Sequence, residues 1–235
     1  HGQTIFHNAS EKITKQLGDG KILSKLTKKT VVYDLRQNDL KNGGQGAPLT
    51  PIFHKMLVKK LNFKSATFIN IGGIINETSI FEDGSFQARD LGPGMCLIDK
   101  WIRTNSKKRY DDKGNLARTG KINQKIFDNA VRNWMYTAGM YTRKSLDVRE
   151  MESFFDDNSL KKLTLEDGAA TLTAFTIEAL AGILQGILGS HPTYHRIILC
   201  GGGRKNDFLV KSIDRLVVGP ELIDDYGIDG DFIES

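Results

Sequence analysis

The stretch from Ala66 to Trp101 constrains the fold of this chain more than any other. It reads ATFINI, then Gly72-Gly73, a second apolar run beginning IINETSIF, and the turn Glu82-Asp83-Gly84. A third run ends at Asp90, Gly92-Pro93-Gly94 turns the chain, and MCLIDKW opens an amphipathic helix. Two short turns joining three adjacent extended runs predict an antiparallel meander. Glycine bends let backbone N–H groups face an anion, and the helix that follows turns its positive end toward the same space. A carboxylate beside that space could serve as a general base. Taken alone, residues 90–94 read as a capped helix start.

The flanking chain alternates helices and strands. Residues 1–20 read as short and extended, ending at Gly18-Asp19-Gly20, with a short helix from Asp19 or Gly20 to about Leu26. The β-branched run Thr30-Val31-Val32-Tyr33-Asp34 predicts a buried strand. Leu35 to Gly46 is polar and glycine-rich, which predicts a loop, and Pro48 suits a helix start. Ile52, Phe53, Met56, Leu57 and Leu61 are helically spaced. Residues 104–121 predict a polar surface excursion, 122–135 a helix, 136–147 irregular chain and 148–155 a short helix. A long apolar helix is predicted from about Ala169 to Leu188, with Asp167 capping or preceding it. Arg196 to Cys200 reads as a strand, followed by Gly201-Gly202-Gly203 and a helix capped by Asn206. Residues 229–235 read as the start of a further helix. Alternation of this kind, with both a meander and isolated strands, implies an α/β domain with a mixed sheet.

Composition narrows the function classes. The 235 residues carry a net charge of +5 with 39% hydrophobic and 26% charged residues, as a globular chain does and a disordered one does not. The basic pairs are not interleaved with aromatics, which argues for solvated faces over a nucleic-acid platform. Residues 179–188 form the longest apolar stretch and read as a buried helix, short of a membrane span. Two distant cysteines, Cys96 and Cys200, form no disulfide framework and no zinc pattern, so a reducing cytoplasm is expected. His1 in place of a methionine, and the unfinished helix at the end, predict a piece of a longer protein.

Two glycine elements, Gly72-Gly73 and Gly201–Gly203, each end an apolar strand, where open α/β sheets bind ligands. Neither is a Walker A loop or a dinucleotide fingerprint. Asp34 and Arg36, two residues apart at a predicted strand end, share a face; a local ion pair and a role in binding a polar ligand are equally open. His191 and His195 are separated by Pro192, which disfavours a metal pair, and His54 beside an apolar helix face reads as structural. Neither cysteine has a basic neighbour to activate it.

Taken together and in order, the motifs resemble the anhydro-N-acetylmuramic acid kinase family. They include His1-Gly2-Gln3-Thr4, Asp34-Leu35-Arg36 with Asp39, Gly43-Gly44-Gln45-Gly46-Ala47-Pro48-Leu49, and Asn70-Ile71-Gly72-Gly73-Ile74 with Asn76. They continue with Asp90 before Gly92-Pro93-Gly94, Lys144-Ser145, Cys200-Gly201-Gly202-Gly203 with Asn206, and Gly227-Ile228 with Gly230-Asp231 and Glu234. The resemblance spans essentially the whole chain. It implies an actin-like ATPase (ribonuclease H-like) α/β fold with mixed sheets flanked by helices in two lobes, residues 1–65 and 66–235, truncated at both ends. It implies ATP and Mg²⁺, an anhydro amino sugar as substrate, a cytoplasmic homodimer, and no nucleic-acid or membrane partner. It implies Asp90 as the catalytic base. Thr4, Asp34, Arg36, Gln45 and Glu234 fall on the sugar side; Gly72, Gly73, Asn76, Gly201, Gly202, Gly203 and Asn206 fall on the ATP side. Metal ligands are not indicated. Leu91 and Met95 stand where the family usually has threonine and asparagine, and the family's N-terminal phosphate loop is absent. The isolated piece is therefore expected to bind ATP poorly and to be inactive. A non-catalytic ATP-binding or assembly module is the alternative.

Overall fold

The computed structural model describes residues 4–138, 146 and 148–233. Chain contacts divide it into two compact units, residues 1–53 and 54–235.

In the first unit, β1 (Thr4–Asn8) and β2 (Ile13–Gln16) form an antiparallel hairpin with a register shift between Thr4 and Phe6. Asn8 Oδ1 accepts from Glu11 N and Ser10 Oγ, which closes the turn. Asp19 caps α1 (Gly20–Thr27), accepting from the N–H groups of Lys21 and Ile22. The expected strand at 30–34 does not form: it has no strand partner, and Val32 is 70% exposed. β-branched residues favour strands through their neighbours, and without a ladder the preference has nothing to act on. The expected loop from Leu35 begins instead as a helix, α2 (Leu35–Lys41), with Leu40 fully buried. Tertiary bonds hold it: Gln37 Oε1 accepts from Thr14 N, and Gln37 Nε2 donates to Lys12 O.

α3 runs from Thr50 to Lys60. The second unit is built on a five-stranded sheet of β3 (Ala66–Ile71), β4 (Ile74–Ile80), β5 (Phe86–Pro93), β6 (Arg196–Cys200) and β7 (Pro220–Leu222), in the order β5-β4-β3-β6-β7. The meander β3-β4-β5 is antiparallel, as expected, and β6 and β7 add in parallel. The helices are α4 (Cys96–Asn105), α5 (Asn115–Thr119), α6 (Gln124–Ala138), α7 (Val148–Glu152), α8 (Asp157–Leu160), α9 (Leu165–Ser190) and α10 (Asp207–Leu216).

Side chains alternate across the sheet, so its two faces fill different cores. Ile69, Ile71, Ile75, Ile197 and Leu199 pack under α9 and α10 with Leu180, Leu184, Leu209 and Ile213. Ala66, Phe68, Ile80, Ile198 and Cys200 pack under Leu57 and Val58 of α3 and under Ile223 and Ile233. A third core, with Trp101, Trp134, Phe154 and Phe175, joins α4, α6 and α9. Its rings meet edge-on or tilted, Phe155 on Phe175 at 5.0 Å.

α9, at 26 residues, is long and apolar enough to cross a membrane by length and composition, which exceeds the apolar stretch read at 179–188. Its apolar residues line two of these cores. Thr164, and not Asp167, caps it: Thr164 Oγ1 accepts from Asp167 N, while Asp167 Oδ1 accepts from Lys121 N. Residues 104–121 are more than a surface excursion. Asp111 is 3% exposed and accepts from the N–H groups of Leu116 and Ala117, starting α5 under α9. Gly230–Phe232 form one turn of 3₁₀ helix where the start of a helix was expected.

Two expectations follow. Phe175 is fully buried in the aromatic core, so Phe175→Ala costs about 3–5 kcal/mol in urea denaturation of the chain. Burial lowers the His54 imidazole to about 4, and burial followed by the neighbouring His191 lowers His195 to about 4. A depressed histidine favours the neutral form in the fold. Its stabilisation is present above the unfolded value of 6.5 and is lost as pH falls toward 4, on the order of 2–3 kcal/mol per histidine. Thermal melts from pH 7 to pH 4 should fall steeply, and a His54→Gln/His195→Gln variant should show a flatter slope.

Candidate functional site

The carboxyl ends of β3 and β6 lie side by side, because the two strands are parallel with Asn70 opposite Cys200. Both glycine elements therefore leave the sheet at one edge. Gly201 has φ +81°, and a Cβ there would stand 2.0 Å from Asn70 Oδ1. A Cβ on Gly203 would stand 2.3 Å from Ile71 Cγ2, so both glycines are required by close approach to β3. Gly202 has open space around its Cβ position. Asn206 ends the loop as the expected cap of α10, its Oδ1 accepting from Leu209 N at 3.0 Å. Its Nδ2 is buried and has no hydrogen-bond partner among the described residues, in a residue only 4% exposed. A buried amide donor left unpaired calls for a partner such as a ligand or water.

The ladder extends the site across the meander. Asn70 pairs with Asn76 of β4, and Asn76 pairs with Asp90 of β5. Cross-strand pairs share a face, so Asp90, Asn76 and Asn70 form a polar row ending at the Gly201 loop. A bulge between Ile75 and Asn76 leaves Leu91 as the extra residue on β5. Asp90 is half-buried, and its Oδ2 accepts from Leu146 N at 2.9 Å. Leu91 and Met95 both pack on the hydrophobic core beneath the sheet. The two apolar replacements are thus absorbed as core.

The carbonyls of Gly72 and Gly73 are turned toward the start of α4. Gly94 N and Cys96 N donate to Gly73 O, and Met95 N donates to Gly72 O. The hairpin carbonyls thus cap the start of α4, and a Cβ on Gly94 would stand 2.3 Å from Gly72 O. These N–H groups at the head of α4 are committed to protein, so this part of the helix end is not free for an anion. Thr176 Oγ1 donates to Gly94 O and fixes the turn from α9. Cys96 beside it is no thiolate: burial pushes its thiol up to about 11. Burial also raises the Asp99 carboxyl, with Arg103 opposing.

In the first unit, Asp34 precedes α2 with φ +65° and makes no side-chain cap bond. It begins a helix and does not end a strand, so the shared strand face with Arg36 does not exist. Arg36 Nη1 donates to Gly46 O at 3.2 Å, and Asp39 Oδ2 accepts from Gly46 N at 2.7 Å. The two side chains fold the Gly43–Gly46 loop, which carries Gln45 on its exposed side. Asp34 and Tyr33 line a cavity of about 400 Å³ with Gln16 and Gly18. Thr4 joins this group through Gln16 Nε2, which donates to Thr4 Oγ1 at 3.3 Å. Glu234 and the Lys144-Ser145 pair lie outside the described residues. Asn70, quoted within a motif, was not singled out as a site residue; its signal is a lone polar residue ending an apolar strand.

A family model described as anhydro-N-acetylmuramic acid kinase matches residues 1–235. The anhydro-N-acetylmuramic acid kinase of Pelagibacter ubique (strain HTCC1062) is 45% identical over 242 residues, covering 100% of this chain and 63% of the relative. The protein of that name from Methylobacterium nodulans is 40% identical over 90% of this chain and 54% of its own length. That from Rhizobium etli is 36% identical over 100% of this chain and 62% of its own. The chain thus spans less than two thirds of these relatives. Among solved structures, the ethanolamine utilization protein EutJ of Carboxydothermus hydrogenoformans matches at TM-score 0.38 and 13% identity, over 87% of this chain and 60% of that one, too distant a likeness to carry an argument. A full-length family match, with relatives at 36–45% identity, means that this chain belongs to the anhydro-N-acetylmuramic acid kinase family.

Proposed function

We propose that the chain carries the catalytic base and the adenosine-side loop of an ATP-dependent kinase acting on 1,6-anhydro-N-acetylmuramic acid. The observation that carries this reading is the polar row Asp90–Asn76–Asn70 running into the Gly201–Gly203 loop across one sheet edge.

The chemistry begins with water, a poor nucleophile that needs a base in reach. Asp90 takes one proton from the water as its oxygen bonds to the anomeric carbon. The Leu146 N–H holds the Oδ2 oxygen of this carboxylate. The anomeric C–O6 bond breaks, and O6 attacks the γ-phosphorus of ATP in line. ADP leaves, and the product is N-acetylmuramic acid 6-phosphate. Phosphoryl transfer of this kind rests on positioning and charge stabilisation. In-line geometry needs ATP held from both ends. The Gly201 loop, with its open face at Gly202 and the unpaired Asn206 Nδ2, supports a role at the neutral end. Gly72, Gly73 and Asn76 face the same edge. Because their carbonyls cap α4, the hairpin glycines contribute shape there and not a helix-dipole anion site.

Thr4, Asp34, Arg36, Gln45 and Glu234 are assigned to the sugar. The cavity supports Asp34 directly and Thr4 only through Gln16, whereas Arg36 supports the loop that presents Gln45. Among the described residues no group of three His, Cys, Asp or Glu side chains converges on a point. A Mg²⁺ bound with ATP would then take its ligands chiefly from phosphates and water, and no step is assigned to it. Residues 1–65 and 66–235 correspond in this reading to two lobes of an actin-like kinase. The protein works as a cytoplasmic homodimer in peptidoglycan recycling.

Two measurements on the protein check this reading. Asp90→Asn should lower kcat about 10²–10⁴-fold with ATP affinity unchanged, because only the proton acceptor is lost. An Asn variant as fast as the parent removes the base assignment. Asn206→Ala should weaken ATP binding several-fold in calorimetry. It should also cost about 1 kcal/mol of stability through the lost α10 cap.

A further inference from the structure

The triple-glycine loop is fixed on one flank by β3, where Asn70 and Ile71 touch Gly201 and Gly203. What fixes its other flank is one guanidinium. The Arg204 side chain is 4% exposed. Its Nε and Nη2 donate to the two oxygens of Asp224 at 2.6 and 3.0 Å. Its Nη1 donates to Asp231 Oδ1 at 2.7 Å and to the Gly201 carbonyl at 2.9 Å, and Nη2 also reaches Asp229 Oδ1 at 3.3 Å. A guanidinium has five N–H donors, and these contacts commit every one. Gly201 N donates in turn to Gly230 O, and a Cβ on Gly230 would stand 2.3 Å from Arg204 Nε. The segment 224–231 is therefore wrapped onto the loop through this side chain.

We propose that Arg204 is the positioning residue of the nucleotide loop, locking Gly201 to the Asp224–Asp231 segment so that the open face at Gly202 is presented in one geometry. The inference rests on the reading of that loop as the ATP side. Stability alone is a weak account of the cluster. Asp224, Asp229 and Asp231 are 44%, 58% and 40% exposed, and ion pairs to carboxylates so wetted are worth little. The geometry, by contrast, is bidentate and over-determined, which is what a planar fork supplies and a lysine cannot. Charge also excludes a direct phosphate contact. Lys205 pairs with the second oxygen of Asp231, so two cations face three carboxylates and the flank is net negative. Arg204 has no donor left for an anion. The loop it orders suits the neutral base and ribose of a nucleotide, with the phosphates lying elsewhere.

The test uses Arg204→Gln and Arg204→Lys in the protein, with Arg196→Gln as a control that breaks an ion pair elsewhere, to Glu221. KM for ATP, KM for the sugar, kcat and ATP affinity by calorimetry are measured at a temperature where melts show all variants folded. Arg204→Gln should raise KM and Kd for ATP about tenfold, with kcat and the sugar KM within about twofold. Arg204→Lys should recover part of the loss, and Arg196→Gln should match the parent. If Arg204→Gln does not fold, Asp224→Asn and Asp231→Asn replace it, each with a smaller rise in the ATP KM. A lower melting temperature with unchanged ATP affinity overturns the positioning role and leaves the kinase reading standing. A parent that binds no ATP overturns both.

Discussion

Strand β3 is hydrogen-bonded along both edges, antiparallel to β4 and parallel to β6, and these two ladders place Asn70, Asn76 and the Gly201 loop of the second unit. The antiparallel ladder sets Asn76 opposite Asn70, and the next sets Asp90 opposite Asn76. The parallel ladder brings the Gly201 loop beside the β3–β4 hairpin. A slip of one residue in either register would turn Asn70 into the aliphatic core and a buried isoleucine toward the ligand edge. The apolar faces forbid that slip. Ile69 and Ile71 are held under α9 and α10, and Phe68 is held on the other side under α3. The core thereby fixes the site's register without touching the reacting atoms.

The same economy appears at the Gly-Pro-Gly turn. A helix start and a hairpin tip each leave backbone groups unpaired, donors in one case and acceptors in the other. Here they satisfy one another: the N–H groups of Gly94, Met95 and Cys96 meet the carbonyls of Gly72 and Gly73. The contact is close enough that Gly94 tolerates no Cβ. The cost is an anion site that the helix end would otherwise offer. The gain is a rigid junction, only one residue beyond Gly92-Pro93 and so within a few residues of Asp90. In the role proposed for Asp90, a carboxylate that takes a proton from water at one position benefits more from a fixed backbone than from a nearby positive dipole, which would disfavour its protonated form.

Much of this arrangement was legible in the residues because it is local. The meander, α6, α9, α10 and the Asp19 and Asn206 caps each follow from spacing within a few positions. What was misread depends on partners far along the chain. Thr30–Asp34 has strand-forming side chains but no neighbouring strand among the described residues. α2 hides in a glycine- and asparagine-rich stretch, because its hold comes from Gln37 reaching Lys12 and Thr14. The Asp111 carboxylate starts a buried helix from inside a run of basic residues. Of the site, Asp90 and the glycines were legible as motifs. Their meeting was not, since β6 follows β3 by more than a hundred residues. Arg204 gives no local sign, with partners 20 to 27 positions onward.

Leu91 and Met95 bear on whether a family member with altered neighbours keeps its chemistry. Polar groups beside a base matter if they share its solvent-facing edge. In this fold the bulge opposite Ile75 sets Leu91 out of the paired row, and its side chain joins Ile183 and Val210 against the α9 and α10 core. Met95 fills the seam between two cores and contributes its N–H, not its side chain, to the hairpin. Threonine or asparagine at either place would have to bury a polar group that requires its own partner. The replacements therefore trade a polar junction for an apolar one beneath the site. The row that faces the sheet edge remains aspartate, asparagine, asparagine.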